Sequence, residues 1–226
     1  MAASRTTSRT TSPRERERGI VAATRALFDE RGMQDAPIEE IANAVGIARG
    51  LIYRHFSSKE ELFTATVSDY LGELAGLLVE VEQATGDPVA RLEHGLEVYA
   101  GFCQRHPAFL DCALSIMRRP ARDLSEIVSE AVWLRLGEGI ASCVDPLVSA
   151  LRAGVASGAF AIADPDYMAN VLWTQVLGAM HLARIRVGMR RSPVGAPELF
   201  LVSPDQVVST CVASALATVG AARSAG

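Results

Sequence analysis

Between Arg49 and Lys59 the chain gathers Arg49, Tyr53, Arg54, His55 and Lys59, long or aromatic side chains that donate hydrogen bonds or carry positive charge. Such groups grip phosphate oxygens, and an arginine fork also fits the acceptor edge of guanine in the DNA major groove. Covalent catalysis has no comparable signature. The chain lacks a G-x-S-x-G elbow, a glycine-rich phosphate loop and an H-E-x-x-H site, and its four histidines are far apart in sequence. Contact with nucleic acid is the chemistry these residues favour.

Two short helices must position them. Ile38, Ile41, Ala42 and Val45 recur at helical spacing and form one apolar face, with Glu39, Glu40 and Asn43 on the other. Two acids in a first turn suit the positive end of the helix dipole. Gly46 stops this helix, as glycine does just past a C-terminus. Ile47 is the apolar plug of the turn, and Ala48, Arg49 and Gly50 open a second helix. Ile52 and Phe56, four apart, face inward, which turns Arg49, Tyr53 and Arg54 outward and leaves His55 open to either side. The layout is that of a helix-turn-helix.

The pattern resembles the TetR family of bacterial regulators. The likeness rests on Ile41-Ala42, Val45-Gly46-Ile47, Arg49-Gly50, Tyr53-Arg54-His55-Phe56, Lys59, Leu62 and Phe63, with the run Ile20 to Gly32 matching the first helix of such domains. It covers roughly the first third of the chain. The resemblance implies a three-helix head whose DNA contacts fall on Pro37, Ala48, Arg49, Gly50, Leu51, Tyr53, Arg54, His55 and Lys59. Arg49 and Arg54 would reach bases or phosphates, Tyr53, His55 and Lys59 would clamp the backbone, and Gly50 would allow close approach. The family usually has Thr at position 37 and Ser at position 48, both helix caps that touch phosphate. Pro37 still starts a helix, because its missing N–H has no partner there anyway, and Asp35 offers a cap from further back. Ala48 offers none, a loss worth about 0.5–2 kcal/mol. Leu51 stands where a small or hydroxylated residue is usual, and it suits a thymine methyl.

The 226 residues suffice for one small domain and one larger one. A hydrophobic content of 49% and a mean hydropathy of +0.19 point to buried helical interfaces. Abundant alanine and few aromatics favour helices over strands. No sustained period-two alternation and no Asn-Gly or Asp-Gly turn is evident, so the predicted fold class is all-α. Residues 1–59 hold ten Lys and Arg against seven Asp and Glu, whereas the rest hold twelve against nineteen. A basic end on an acidic body suits a protein that points one end at DNA, a chance tilt of a solvated surface being the bland alternative.

Residues 1–13 read as a basic arm, 14–74 as the DNA-binding head with its motif at about 37–56, and 75–226 as a helical effector-binding and dimerisation domain. The first eighteen residues are Ser/Thr/Arg-rich, and Arg5, Arg9, Arg14, Arg16 and Arg18 would follow a DNA backbone, enter a minor groove or simply be solvated. Cys103, Cys112, Cys143 and Cys211 are scattered without a C-x-x-C pair, which fits reduced thiols in a cytoplasmic protein. Cys103-x-x-His106 has no second ligand pair at metal-binding spacing, so no metal or cofactor is expected. The uncharged run from Val207 to Ala222 is too short for a bilayer, and no membrane association is expected.

Proline and glycine punctuation divides the larger domain. A helix runs on from Lys59 to Gly86-Asp87-Pro88, the next from Pro88 to about Gln104, and a third from His106-Pro107 to about Arg118. Helices follow at about Asp123–Ser142 and Pro146–Ser157, then one from Asp164-Pro165 to about Arg190. A Pro- and Gly-rich loop, Ser192 to Pro204, precedes the last helix. By the same resemblance the last two long helices pair with a second copy through Val176, Met180, Arg184, Val208, Cys211, Val212, Ala215 and Val219. The middle helices enclose a ligand pocket lined by Phe102, Phe109, Leu110, Leu114, Met117, Trp133, Leu136, Ile140 and Trp173, an apolar stripe being otherwise plain core. His94, His106, His181, Gln104 and Gln175 are candidate polar anchors. The leading expectation is a homodimeric repressor released from a palindromic double-stranded operator by a small, largely apolar effector. An effector-independent DNA binder, or an enzyme with a helical head, are the alternatives.

Overall fold

The computed structural model describes residues 12–31, 37–118 and 126–220. In order these form α1 (Pro13–Arg31), α2 (Ile38–Val45), α3 (Arg49–His55), α4 (Lys59–Ala84), α5 (Pro88–Arg105), α6 (Pro107–Met117), α7 (Glu130–Ser157), α8 (Pro165–Ile185), strands β1 (Val187–Arg191) and β2 (Pro197–Leu201), and α9 (Pro204–Thr218). Helix starts are written locally. Five of these helices begin on a proline, whose missing N–H costs nothing in a first turn. Asp87, Asp164 and Ser203 cap α5, α8 and α9 through their side-chain oxygens.

The head is α1, α2 and α3 packed on the first half of α4. α1 begins earlier than expected. The Glu15 N–H donates to Ser12 Oγ at 3.2 Å and the Glu15 carboxylate accepts from the Ser12 N–H at 2.7 Å, a reciprocal capping box. Arg14, Arg16 and Arg18 therefore ride on a helix instead of a loose arm, while Arg5 and Arg9 lie outside the described residues. Ile20, Val21, Thr24 and Phe28 form the buried stripe of α1.

The body is built on α4 and α7, the most extensively paired helices, with α5 beside both and α8 and α9 layered outside α5. Both α4 and α7 are long and apolar enough to cross a membrane by length and composition, but here their apolar stripes make the core. α7 corrects the sequence reading, which placed two helices with a break before Pro146. The helix runs through Pro146 unbroken and begins at Glu130. Burial of Cys143, Val144, Val148 and Leu151 on one continuous stripe outweighs the lost hydrogen bond of the proline.

A second correction concerns the connection between α8 and α9. Instead of a loop it is an antiparallel hairpin, with Val187 opposite Leu201 and Arg191 opposite Pro197. α8 stops at Ile185 because Arg186 adopts a left-handed conformation with φ +56°. Gly195 provides the positive φ of the turn. Among the described residues the fold is otherwise helical.

Gly154 in α7 makes room for Phe160, the plug beneath the α7–α8 break. A Cβ at position 154 would lie 2.0 Å from the Phe160 ring, which is buried. Gly154→Ala is expected to cost about 1–3 kcal/mol by overpacking. An unchanged denaturant midpoint would show that the ring yields freely.

Candidate nucleic-acid interface

The turn between α2 and α3 is set by Gly46. Its φ of +73° lets its N–H reach Asn43 O at 3.1 Å while the Ile47 N–H reaches Ala42 O at 3.0 Å. This is a Schellman closure, and it satisfies carbonyls that the end of α2 would otherwise leave unpaired. No neighbouring atom crowds Gly46, so glycine is needed for conformation rather than space. α3 then starts from Ala48 without a side-chain cap, and α2 likewise from Pro37, whose carbonyl accepts from Glu40 and Ile41 at 3.0 and 3.2 Å. Asp35 lies outside the described residues.

α3 is two-sided. Ile52 and Phe56 are 1% exposed and fix the helix to the head core. Arg49, Gly50, Tyr53 and Arg54 are exposed, as are Pro37, Ala48 and Lys59. Leu51 and His55 are half-buried. The Arg49 guanidinium lies 5.6 Å from the Tyr53 ring and pairs with Glu39 of α2. Tyr53 first and Glu39 second raise the Arg49 pKa, so its charge is secure. Glu39 also prealigns that arginine, a role the sequence reading did not assign. Among the described residues Arg54 and Lys59 have no ion-pair partner, which leaves their charge available to a phosphate.

Two clamps hold this surface to the body. Ser58 caps α4 by accepting the Glu61 N–H at 3.0 Å, and Glu61 turns back to accept the Ser57 N–H at 2.6 Å. The same carboxylate accepts from the Ser129 hydroxyl at the start of α7. Burial works to raise the Glu61 pKa, but hydrogen bonds from Ser129 and Ser57 outweigh it, and the net shift is downward. The second clamp is Tyr70. Its hydroxyl donates to Asp29 of α1 at 2.7 Å, and the Arg25 guanidinium sits 4.2 Å over its ring. Arg25 also pairs with Asp69 and Glu73 of α4, and His106 reaches Asp29 at 3.6 Å and Glu73 at 3.7 Å. Neither clamp was assigned from the sequence, although Ser58-x-x-Glu61 is a legible capping box.

Most of the residues expected to line a ligand pocket are core or half-buried side chains. Phe102, Phe109 and Leu110 are wholly buried, the first two against Tyr70. Leu136 is buried, Leu114, Trp133 and Ile140 are half-buried, and Met117 is 48% exposed at the end of α6. Leu110 instead borders an open cleft of about 340 Å³ near Met180 and Arg186. Of the nine residues, Trp173 alone borders a narrower cavity of about 30 Å³ between α4, α5, α7 and α8. Leu78, Leu96, Tyr99, Cys143 and Leu147 complete its apolar wall, and Trp173 stacks on Tyr99 with centroids 4.1 Å apart. Arg91 Nε and Tyr99 Oη are buried there without a protein partner. The anchors are elsewhere: His94, Gln104 and His181 are exposed, His106 faces α1, and Gln175 bonds Ser214 at 3.1 Å.

The residues expected to meet a second copy pack within one protomer instead. Val176, Met180, Cys211, Val212, Ala215 and Val219 are buried inside their own protomer, where α8 and α9 pack on each other and on α5. Val208 is half-buried, and Arg184 pairs with Asp111 at 3.2 Å. An apolar stripe marks the side of a helix that leaves water, and here that side is claimed by the chain itself. All four thiols are buried and unpaired. Burial raises each of them, Cys143 to about 12, so none is a reactive thiolate.

A helix-turn-helix head on a helical body defines the class. The profile described as bacterial regulatory proteins, tetR family, matches residues 20–66. The HTH-type transcriptional activator FasR of Mycolicibacterium smegmatis is 31% identical over 93 residues, spanning 41% of this chain and 42% of that protein. The HTH-type transcriptional repressor KstR2 of Rhodococcus jostii is 38% identical over 73 residues, or 32% and 35% of the two chains. These matches thus span less than half the length of either relative. Likeness in fold extends further. The TetR family regulator PfmR of Thermus thermophilus superposes with a TM-score of 0.62 over 88% of this chain and 97% of that one, at 19% identity. A protein of unknown function from Rhodococcus sp. RHA1 gives 0.68 over 96% and 99%, at 17% identity. Residues 20–66 thus match the tetR family profile, and the fold of the chain is like that of TetR family regulators.

The Glu61 clamp has a pH signature. A carboxylate whose pKa is lowered by folding stabilises the fold above its unfolded pKa, and that contribution is lost as pH falls through the folded pKa. Ser129→Ala removes one donor, so acid unfolding followed by circular dichroism should begin at a higher pH than in the wild type. Coincident acid transitions would remove Ser129 from the clamp.

Proposed function

We propose that the protein is a DNA-binding transcriptional regulator, acting in the cytoplasm as a homodimeric repressor at a palindromic operator. The observation that carries this reading is the two-sidedness of α3: Ile52 and Phe56 anchor it while Arg49, Tyr53 and Arg54 face outward. Relatives named as a transcriptional activator and as repressors support regulation over catalysis. Two heads related by a two-fold axis suit half-sites about one helical turn apart, or a multiple. In this reading residues 14–74 bind DNA, residues 75–226 carry dimerisation and the effector site, and the α8–α9 layer meets the second copy through its outward side.

The effector is a small, largely apolar molecule, and the cavity beside Trp173 supports its entry between α4 and α5. Leu78, Val81 and Glu82 of that cavity belong to the far end of the helix whose first turn carries Lys59. A ligand that wedges α4 away from α5 would tilt the head through the Tyr70 clamp. Its effect on DNA affinity is limited to its differential affinity for the two states, commonly about 1–3 kcal/mol.

The interface is tested by salt dependence. Each phosphate neutralised contributes about −0.9 to the slope of log K against log salt. Tyr53→Ala with Lys59→Ala is expected to weaken binding to every duplex and to flatten that slope, by about one phosphate's worth for the lysine. A double variant with the wild-type slope would remove these residues from the phosphate clamp.

A further inference from the structure

The hairpin between α8 and α9 has one finished face and one bare face. Val187 stands opposite Leu201 and Met189 opposite Leu199. Opposed residues in an antiparallel pair share a face, and alternation puts these four together. They are 37%, 87%, 69% and 67% exposed. The reverse face is closed: the Phe200 ring covers Gly188, Arg190 lies 5.6 Å from that ring, and Arg190 pairs with Glu198. A two-stranded ribbon alone is marginal in water, and a contiguous apolar face of this kind marks an interaction site. The bare surface continues onto α8 through Leu182 and Ile185, which are also exposed.

The charge pattern identifies the occupant. Asp164 and Asp166 open α8 with Arg152 paired to Asp166, which leaves that end net negative. Arg184 and Arg186 close it and Arg191 follows on β1, with Asp111 paired to Arg184, which leaves the other end net positive. Arg190 is neutralised by Glu198 on the closed face. A surface acidic at one end and basic at the other complements itself after a two-fold rotation, which is the requirement of an isologous contact. Antiparallel pairing of two α8 helices brings each ribbon to the acidic end of the other, where Tyr167 is 67% exposed.

We propose that the hairpin is an arm that lays its Val187, Met189, Leu199 and Leu201 face on the α8 helix of a second copy, near Tyr167. The inference rests on the two-copy reading above and adds the element that completes the contact.

Sedimentation equilibrium of the full chain tests it. Leu199→Glu with Leu201→Glu places charge at exposed positions that make no core contact, and should weaken the dimer at least fivefold with the helical signal and Tm retained. Tyr167→Glu should act in the same direction. Replacing 187–201 by Gly-Ser should do so too, since the Val202 N–H already reaches Arg186 O at 2.9 Å and closes the base. If the excised form misfolds, the glutamate pair decides. A folded glutamate pair that dimerises within fivefold of the wild type overturns the arm while leaving the dimer reading intact. A wild type that stays monomeric at tens of micromolar overturns both.

Discussion

Tyr70 lies where the head and the body share one helix. Its ring is fully buried against Phe102 of α5 and Phe109 of α6, with the Arg25 guanidinium over it and its hydroxyl donating to Asp29. Burial and the adjacent Asp29 both raise its pKa, so it stays a neutral donor. A hydrogen bond to a charged acceptor is worth about 1.5–3 kcal/mol, and a partly desolvated cation over an aromatic face about 0.5–2 kcal/mol. The head cannot turn on the body without breaking these contacts. The direction in which α3 faces is therefore set by the seating of α4, and α4 is seated by the body.

This explains why residues remote from α3 bear on the surface it presents. Glu61 ties the first turn of α4, just after the end of α3, to Ser129 at the start of α7. The two clamps lie on the head half of α4, and the narrow cavity beside Trp173 lies against its other end. Buried, unpartnered Arg91 Nε and Tyr99 Oη are polar groups that an oxygen acceptor would satisfy. A structure with rigid contacts at one end of a helix and spare space at the other can convert local insertion into a change of tilt, because packed interfaces shift between arrangements rather than deform smoothly.

The legible parts of the molecule were those written in local pattern. Ile41, Ala42, Gly46, Ile52 and Phe56 specify the helix-turn-helix through spacing and one positive φ, and all fall as expected. Burial was legible as well: Phe102, Leu136, Val176 and Val212 leave water as their stripes require. What an apolar stripe does not encode is which surface covers it. Val176 and Val212 could meet a second copy or their own protomer, and they meet the latter. Phe109 could line a void or fill one, and it fills one. Pro146 signalled a break that continuous burial along α7 overrode. The hairpin carried a weak alternation, Val187-Met189-Arg191 and Leu199-Leu201 around Gly195, too short to stand out beside proline-rich loop composition. The Tyr70 clamp joins residues 41 apart in sequence, a pairing that only the packing of α1 on α4 reveals.

If α3, held by α4, reads a two-fold DNA site, selection of bound duplexes from a random pool by the purified protein will show it directly. The expected result is an enriched palindrome, with half-sites whose separation matches two heads on one axis. A protein shown to be folded that enriches no sequence, or enriches a single unrepeated half-site, would contradict it.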